Sequence, residues 1–516
     1  MPLQWPAQSP SLRFDMSDRA LWVGWPPEVL GVAALITAMS GCAVGPDFRA
    51  PRTPETSGYV SERLPDSTEA TGAVGEASQH FHFGRDLSGQ WWELFGSSQL
   101  STLIEEAMAS YPDVIAQQAA LKAARDNVRA ESGIFLPQMQ GATNYEREQV
   151  SGASIGPGYP GFITNVYQAT VDVSYTVDIF GSQRRTLEGF IAQTEAQNFV
   201  LEASYLTLSS NVASTAIQLA SVTDQIAATK DIITSETRQL ELIKRRFEIG
   251  SQSRADVLQQ ESNLALIRTT LPALEQQQAV AEHQIAVLTG HSPHDVAPAR
   301  FTLADLRLPA DLPVSLPSTL VEQRPDIRQR EALAHQASSA VGVATANMLP
   351  QLTLTGTFGG ESLVYNTLFQ PDSGIWNIAA GITQPLFQGG TLRAKRRAAI
   401  DSYDQSVAQY RLTVLKAFQN VADTLTAIEH DAQAFTAQTD SLDIAKASLN
   451  LTQNQYDAGT VSYVSLLTAQ QAYAQARLAY VQASAARYTN TVTLFQALGG
   501  GWWNRADKGV LKLTSR

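Results

Sequence analysis

The sequence predicts a mainly α-helical fold with a β-barrel portion, built from one unit used twice. Stepping by seven from Tyr205 gives Tyr205, Val212, Leu219, Ile226, Ile233, Leu240 and Phe247 without a polar residue, and adding 209 to each number gives Val414, Val421, Ile428, Phe435, Leu442, Leu449 and Tyr456. A strict seven-residue apolar repeat keeps facing a partner only when helices wind left-handedly about each other, so both stretches are coiled-coil arms. The stretches Val171 to Ile179 and Leu352 to Phe358 alternate apolar with polar residues, which is the period of a strand with one greasy and one wet face. Pro112-Asp113 and Leu136-Pro137 recur as Pro325-Asp326 and Leu349-Pro350 at a constant offset of 213, the mark of an internal repeat.

From the start of the chain, residues 1–41 resemble a bacterial lipoprotein signal peptide, with Met16 as an alternative start. The apolar run Val29 to Met39 is too short to span a bilayer, and Ser40-Gly41 then lead to Cys42, the one cysteine of 516 residues. Small residues before a Cys at the end of such a run point to lipidation of Cys42, and Ala43 after it points to the outer membrane of a Gram-negative cell. Residues 42–90 are polar and rich in Pro, Gly, Ser and Thr, and are expected to wrap or link without forming a core. The first repeat, 91–290, opens with two helices broken at Tyr111-Pro112, continues with a β-hairpin over about 138–180 and then a long arm, and turns at a tip over about 247–254. A shorter return helix, Ala255 to Leu288, follows the tip, and Pro272 predicts a kink or break in it. Residues 291–317, with five prolines, are expected to be a linker lying across the helices. The second repeat, 318–500, places its hairpin at about 351–386 and its tip at about 456–463, and 501–516 form a tail. Each arm of about 65 residues would measure roughly 100 Å at 1.5 Å per residue. The returns are about half as long, so the helices before Pro137 and Pro350 are expected to stack end to end on them.

Composition supports this organisation. Charged residues make up 17% of the chain against the usual quarter, which suits helices packed closely on other helices. A net charge of −12 and a pI near 5.1 argue against a nucleic-acid partner. Past Cys42 no segment approaches the roughly 20 apolar residues of a membrane helix. A membrane crossing must therefore be a barrel, and four strands cannot close one when the smallest need about eight. Strands must be pooled between copies, and three copies supply twelve.

Cys42 with VGPDFRAP after it, WWELFGSSQL, the Pro-Asp and Leu-Pro pairs, PLFQGG at Pro385 to Gly390, the two tips and ALGGGWW from Ala497 resemble the outer-membrane factor family, the lipoprotein exit ducts of tripartite drug-efflux pumps. The resemblance implies a homotrimer with a twelve-stranded outer-membrane barrel continuous with a long periplasmic α-helical barrel, and a mixed equatorial belt. It also implies two partners, a periplasmic adaptor (membrane fusion) protein and an inner-membrane RND-type transporter, and no catalysis. No cofactor is expected beyond the covalent lipid on Cys42.

The tips are the functional candidates. FEIGSQSRADVL from Phe247 and YDAGTVSYVSLL from Tyr456 share an aromatic residue, Gly250 or Gly459, and Ser253 or Ser462. The glycines suit the positive φ of a helix C-terminus, and the serines can cap the return helix. By resemblance, the same grooves receive the hairpin of the adaptor. The family closes its periplasmic mouth with acidic and bulky residues on the second return. There this chain departs, with Val464, Thr468 and Gln471 at the matching places and an acidic residue, Asp256, in the first tip instead. Asp256 either faces the pore or serves as a helix-start carboxylate. No catalytic constellation is present. His80 and His82 lack a third metal ligand nearby, and His291 and His294 sit in the Pro-rich linker; both pairs are expected to be surface residues. The competing readings are a duct for protein secretion or metal-ion efflux and, from another class, a lipid-tethered periplasmic coiled-coil scaffold that never crosses the membrane. The greasy alternating strands argue against the scaffold, although a soluble sandwich would also alternate.

Overall fold

The computed structural model describes residues 43–52, 56, 58–60, 65–69, 78–154, 156–158, 160–295 and 299–505. The leader, Cys42 and residues 506–516 of the tail lie outside the described residues. In chain order, a strand β1 (His80–Phe83) and a 3-10 turn (Trp91–Phe95) lead to α1 (Ser98–Ser110) and α2 (Pro112–Ser132). The hairpin β2 (Gln138–Val150) and β3 (Phe162–Val177) follows, then the arm α3 (Ser182–Glu248) and its return α4 (Arg254–Leu288). A strand β4 (Asp311–Val314) and a short helix α5 (Pro317–Gln323) connect to the second copy: α6 (Pro325–Ala346), β5 (Gln351–Ser362), β6 (Gly374–Thr383), α7 (Thr391–Asp457) and α8 (Tyr463–Ala497).

The duplication is regular. Both arms have 67 residues and both returns 35. Each arm starts after a glycine with positive φ, Gly181 at 80° and Gly390 at 87°, which lets the chain turn sharply from strand to helix. Each arm packs along shorter helices stacked in pairs: α2 and α4 both lie along α3, and α6 and α8 both lie between α3 and α7. The helical layer is thus a row in the order α2/α4, α3, α6/α8, α7.

The strands form one antiparallel sheet in the order β2-β3-β5-β6. The register aligns Gln140, Asp172, Thr357 and Asn377 across one face, where the Thr357 hydroxyl donates to Asp172 Oδ1 at 2.7 Å. The neighbouring row, on the opposite face, holds Val171, Phe358 and Trp376, and the next holds Met139, Val173 and Ile378. Trp376 is 74% and Ile378 82% exposed, far more than a water-facing sheet leaves open in side chains this large. β2 and β6 present unpaired edges within the single chain.

Three expectations need correction. The heptad seam is buried in its upper half, at Val212, Leu219 and Ile226 and at Val414, Val421, Ile428 and Phe435, but toward the first tip it slips by one position. Ile233 and Leu240 are only half-buried, while Ile232, Glu236, Gln239 and Ile243 are buried. A helix of 3.6 residues per turn drifts about 20° per heptad, so a sequence seam seven steps long overestimates the register kept by a straighter helix. Second, the segments expected to be a wrap and a linker contribute core: β1 pairs in parallel with β4, and Phe81, Leu87, Phe301, Leu306, Leu312 and Val314 are buried. Four-residue strands whose partners are some 230 residues apart leave no local period to detect. Third, α4 runs on through Pro272 without a break. The surrounding stretch is largely exposed, so the carbonyl that loses its N–H partner can turn to water.

Candidate functional site at the helical tips

Both arms close in the same way. Gly250 (φ 75°) donates its N–H to Phe247 O at 2.9 Å and Ser251 N–H reaches Arg246 O at 2.8 Å; Gly459 (φ 73°) donates to Tyr456 O at 3.0 Å and Thr460 to Gln455 O at 2.9 Å. This pair of bonds satisfies the last helix carbonyls and needs a residue free to adopt positive φ. A Cβ added at either glycine would meet nothing within 4 Å, so these turns face open space. Ser253 Oγ then accepts from Asp256 N at 3.2 Å and Ser462 Oγ from Ser465 N at 3.3 Å, capping the two returns.

Asp256 is turned back on its own helix start. Its Oδ2 accepts from Ser253 N at 3.2 Å, Ser253 Oγ at 2.6 Å and Gln252 Nε2 at 2.8 Å, completing a reciprocal capping box. The second tip has Ser465 at the matching place and lacks the reciprocal bond. Val464, Thr468 and Gln471 stand at i, i+4 and i+7 on one exposed face of α8. Thr468 bonds back to Val464 O at 2.9 Å, and Gln471 Nε2 donates to Asn263 Oδ1 on α4 at 3.0 Å. The two tips of one chain are also joined: Arg246 pairs with Asp457 at 2.9 Å and lies 5.2 Å from the centre of the Tyr456 ring, and Tyr456 Oη donates to Gln252 Oε1 at 3.0 Å.

Sequence reasoning missed a buried polar hub just above the tips. Glu236 of α3 is buried and accepts at Oε2 from Gln260 Nε2 (2.7 Å) and Asn263 Nδ2 (3.3 Å) of α4, and Gln260 in turn accepts from Tyr463 Oη of α8. The polar i, i+3 pairs Glu236/Gln239 and Gln260/Asn263 on otherwise apolar faces were the signal for it. Burial pushes the Glu236 carboxyl above the ordinary glutamate value, opposed by the two amide donors. The Tyr463 phenol is likewise raised, by burial first and then by the nearby Glu236. A carboxyl whose folded value exceeds its unfolded one favours the folded state most below the unfolded value and loses that contribution as pH rises through the folded one. Glu236→Gln is therefore expected to stabilise the hairpin junction at pH 7, by on the order of 1 kcal/mol, with the gain shrinking as pH falls towards the ordinary glutamate value. Thermal unfolding of both proteins across pH 4 to 8 checks this, and a gain that grows on acidification would contradict it.

Among the described residues no group of three or more metal-binding side chains occurs. His82 Nε2 lies 2.9 Å from Asp311 Oδ1 and His291 Nδ1 3.6 Å from Glu106 Oε1, both at the surface. Nor is any described helix long and apolar enough to cross a membrane.

The family model "Outer membrane efflux protein" matches residues 103–291 and 316–500. The pyoverdine export outer membrane protein OpmQ of Pseudomonas aeruginosa is 28% identical over 421 residues, covering 80% of this chain and 87% of its own. The toluene efflux pump outer membrane protein TtgF of Pseudomonas putida is 28% identical over 488 residues, covering 91% and 96%. In structure, the CmeC outer membrane channel of Campylobacter jejuni superposes with a TM-score of 0.79 at 22% identity, over 89% of this chain and 95% of that one. Helical arms of this length, a sheet with a greasy exposed face and a match to both repeats lead to one conclusion: the chain belongs to the outer membrane efflux protein family.

Proposed function

We propose that three copies of this chain form a passive exit duct of a tripartite efflux pump, receiving small molecules from an inner-membrane RND-type transporter through a periplasmic adaptor. The observation that carries this reading is the four-stranded sheet with a lipid-compatible face and two open edges, set directly on arms of roughly 100 Å. Open strand edges cannot lie in hydrocarbon, so the sheet requires neighbours, and three copies close a barrel of twelve strands. The helical row then closes beneath it, each α7 meeting the α2/α4 flank of the next copy. The tip turns around Gly250, Ser253, Gly459 and Ser462 are the adaptor-docking sites, supported by their exposure and open surroundings. Val464, Thr468 and Gln471, on one exposed face of α8, are the gate candidates. Asp256 contributes as the structural start of α4 and as a charge near the mouth. A covalent lipid on Cys42 anchors the chain beside the barrel. Drug-like and other small organic molecules are the proposed cargo, in keeping with the toluene and pyoverdine in the names of the relatives.

Electron microscopy of full-length protein extracted in detergent is expected to show hollow three-fold rods well over 100 Å long, and compact monomers would sink the architecture. In the same cells, labelled palmitate is expected on the wild type and to be lost in Cys42→Ser. Label retained by that variant, or absent from both, refutes the lipid anchor.

A further inference from the structure

The two copies of the repeat differ where strand passes into arm. In the first, the cations are neutralised inside the chain: Arg184 Nε pairs with Asp178 Oδ2 at 3.2 Å, and Arg185 pairs with Asp47 at 2.7 Å and Glu188 at 2.8 Å. Adding 209 maps Arg184 onto Arg393, Asp178 onto Phe387, Thr186 onto Lys395, Leu187 onto Arg396 and Glu188 onto Arg397. Arg185 maps onto Ala394, so the second copy has lost both carboxylates of its own segment and carries four cations where the first carries two. Arg393, Lys395, Arg396 and Arg397 are all exposed, and among the described residues none forms an ion pair. Arg396 Nε donates to the Thr345 hydroxyl at 3.2 Å.

Leaving four cations together here is costly twice over. They repel one another, and they occupy the first two turns of α7, where the helix dipole disfavours positive charge. Just before them, beyond the end of β6, Leu386 and Phe387 are 92% and 89% exposed. This end of the sheet, where β3 and β6 finish and β5 begins, is the one nearest the arms. Greasy side chains followed within about two helical turns by unpaired cations match the layering of acyl chain and phosphate at a membrane surface.

A neighbouring copy fits less well. Around the ring it would bring the end of α2, whose charges are Arg125, Asp126, Arg129 and Glu131, with Asp126 already held by Arg129 at 3.0 Å. That flank has no net charge to set against four cations.

We propose that Leu386, Phe387 and the basic start of α7 form a binding site for anionic phospholipid head groups of the membrane leaflet that faces the arms, so that each trimer carries three such sites. The proposal rests on the outer-membrane duct reading above. The test uses the full-length trimer in detergent, titrated with phosphatidylglycerol or phosphatidylcholine and followed by native mass spectrometry. A surface cation contributes about a fivefold gain in affinity for an anionic lipid. The wild type is therefore expected to prefer phosphatidylglycerol by about tenfold or more. The variant with Arg393→Gln, Lys395→Gln, Arg396→Gln and Arg397→Gln is expected to lose that preference, and the variant with Arg393→Lys, Arg396→Lys and Arg397→Lys to keep it. No preference in an intact wild-type trimer overturns the site while leaving the duct standing, whereas absence of the trimer from outer membranes overturns the duct itself. Full preference retained in the glutamine variant also overturns the site. If the glutamine variant does not assemble, the wild-type titration decides with the lysine variant: preference in both supports the site, and absence of preference in either overturns it.

Discussion

Replacing Trp91 with alanine is expected to destabilise the chain by about 3–5 kcal/mol, the range for deleting a fully buried aromatic ring. The ring is 1% exposed and holds together the start of the first repeat and the end of the second. It meets Trp92 at 5.8 Å, Phe95 at 6.3 Å and Phe495 of α8 at 5.6 Å between ring centres. Phe95 in turn packs on Tyr488 and Phe495, so the cluster links residues some 400 positions apart in sequence. Gly500, beside the ring at φ 69°, has no side chain to extend into the void. For a chain of this length the loss corresponds to roughly 3–5 °C in melting temperature. Thermal denaturation of the detergent-solubilised protein measures it, with Trp91→Phe falling between wild type and alanine. A shift under about 1 °C for the alanine variant would show that this junction does not hold the repeats together.

At the tips, Gly459→Leu and Ser462→Tyr are expected to weaken docking by at least roughly 1.4 kcal/mol, about tenfold in affinity, and so to reduce drug resistance clearly while the assembly stays intact. The assembly is spared because the turn lies outside the large core cluster, touching only the small one around Tyr456 and Tyr463, and a Cβ at Gly459 meets nothing within 4 Å. The backbone strain of a leucine at φ 73° is confined to the turn and costs about 1–2 kcal/mol there. Gly459→Asn separates strain from docking, because asparagine tolerates positive φ with a short side chain, and it is expected to retain most resistance. Growth inhibition of a deletion strain carrying each variant, with trimer quantified in outer-membrane fractions, gives the answer. Unchanged resistance in Gly459→Leu and Ser462→Tyr would argue that the tip grooves carry no partner.

The sequence by itself determined the parts whose physics is local. The two arms follow from a seven-residue period, and their ends from glycines that can take positive φ and serines that can cap the next helix. Strands β3 and β5 follow from alternation, and β2 pairs with β3 over its whole length from Gln138 to Val150. The 209-residue offset also placed the two tips as equivalents. Tertiary structure decided whatever depends on partners far apart in the chain. The pairing of His80 with Asp311, the burial of Trp91 against Phe495 and the Glu236 hub spanning three helices leave little trace in any short window. The sequence places arginines at both Arg184 and Arg393, but only the fold shows the first held by Asp178 while the second stands in the open. Periodicity records which face of an element is apolar. What that face, or the charge beside it, finally meets is set by packing, because burial and charge neutralisation are properties of neighbours in space.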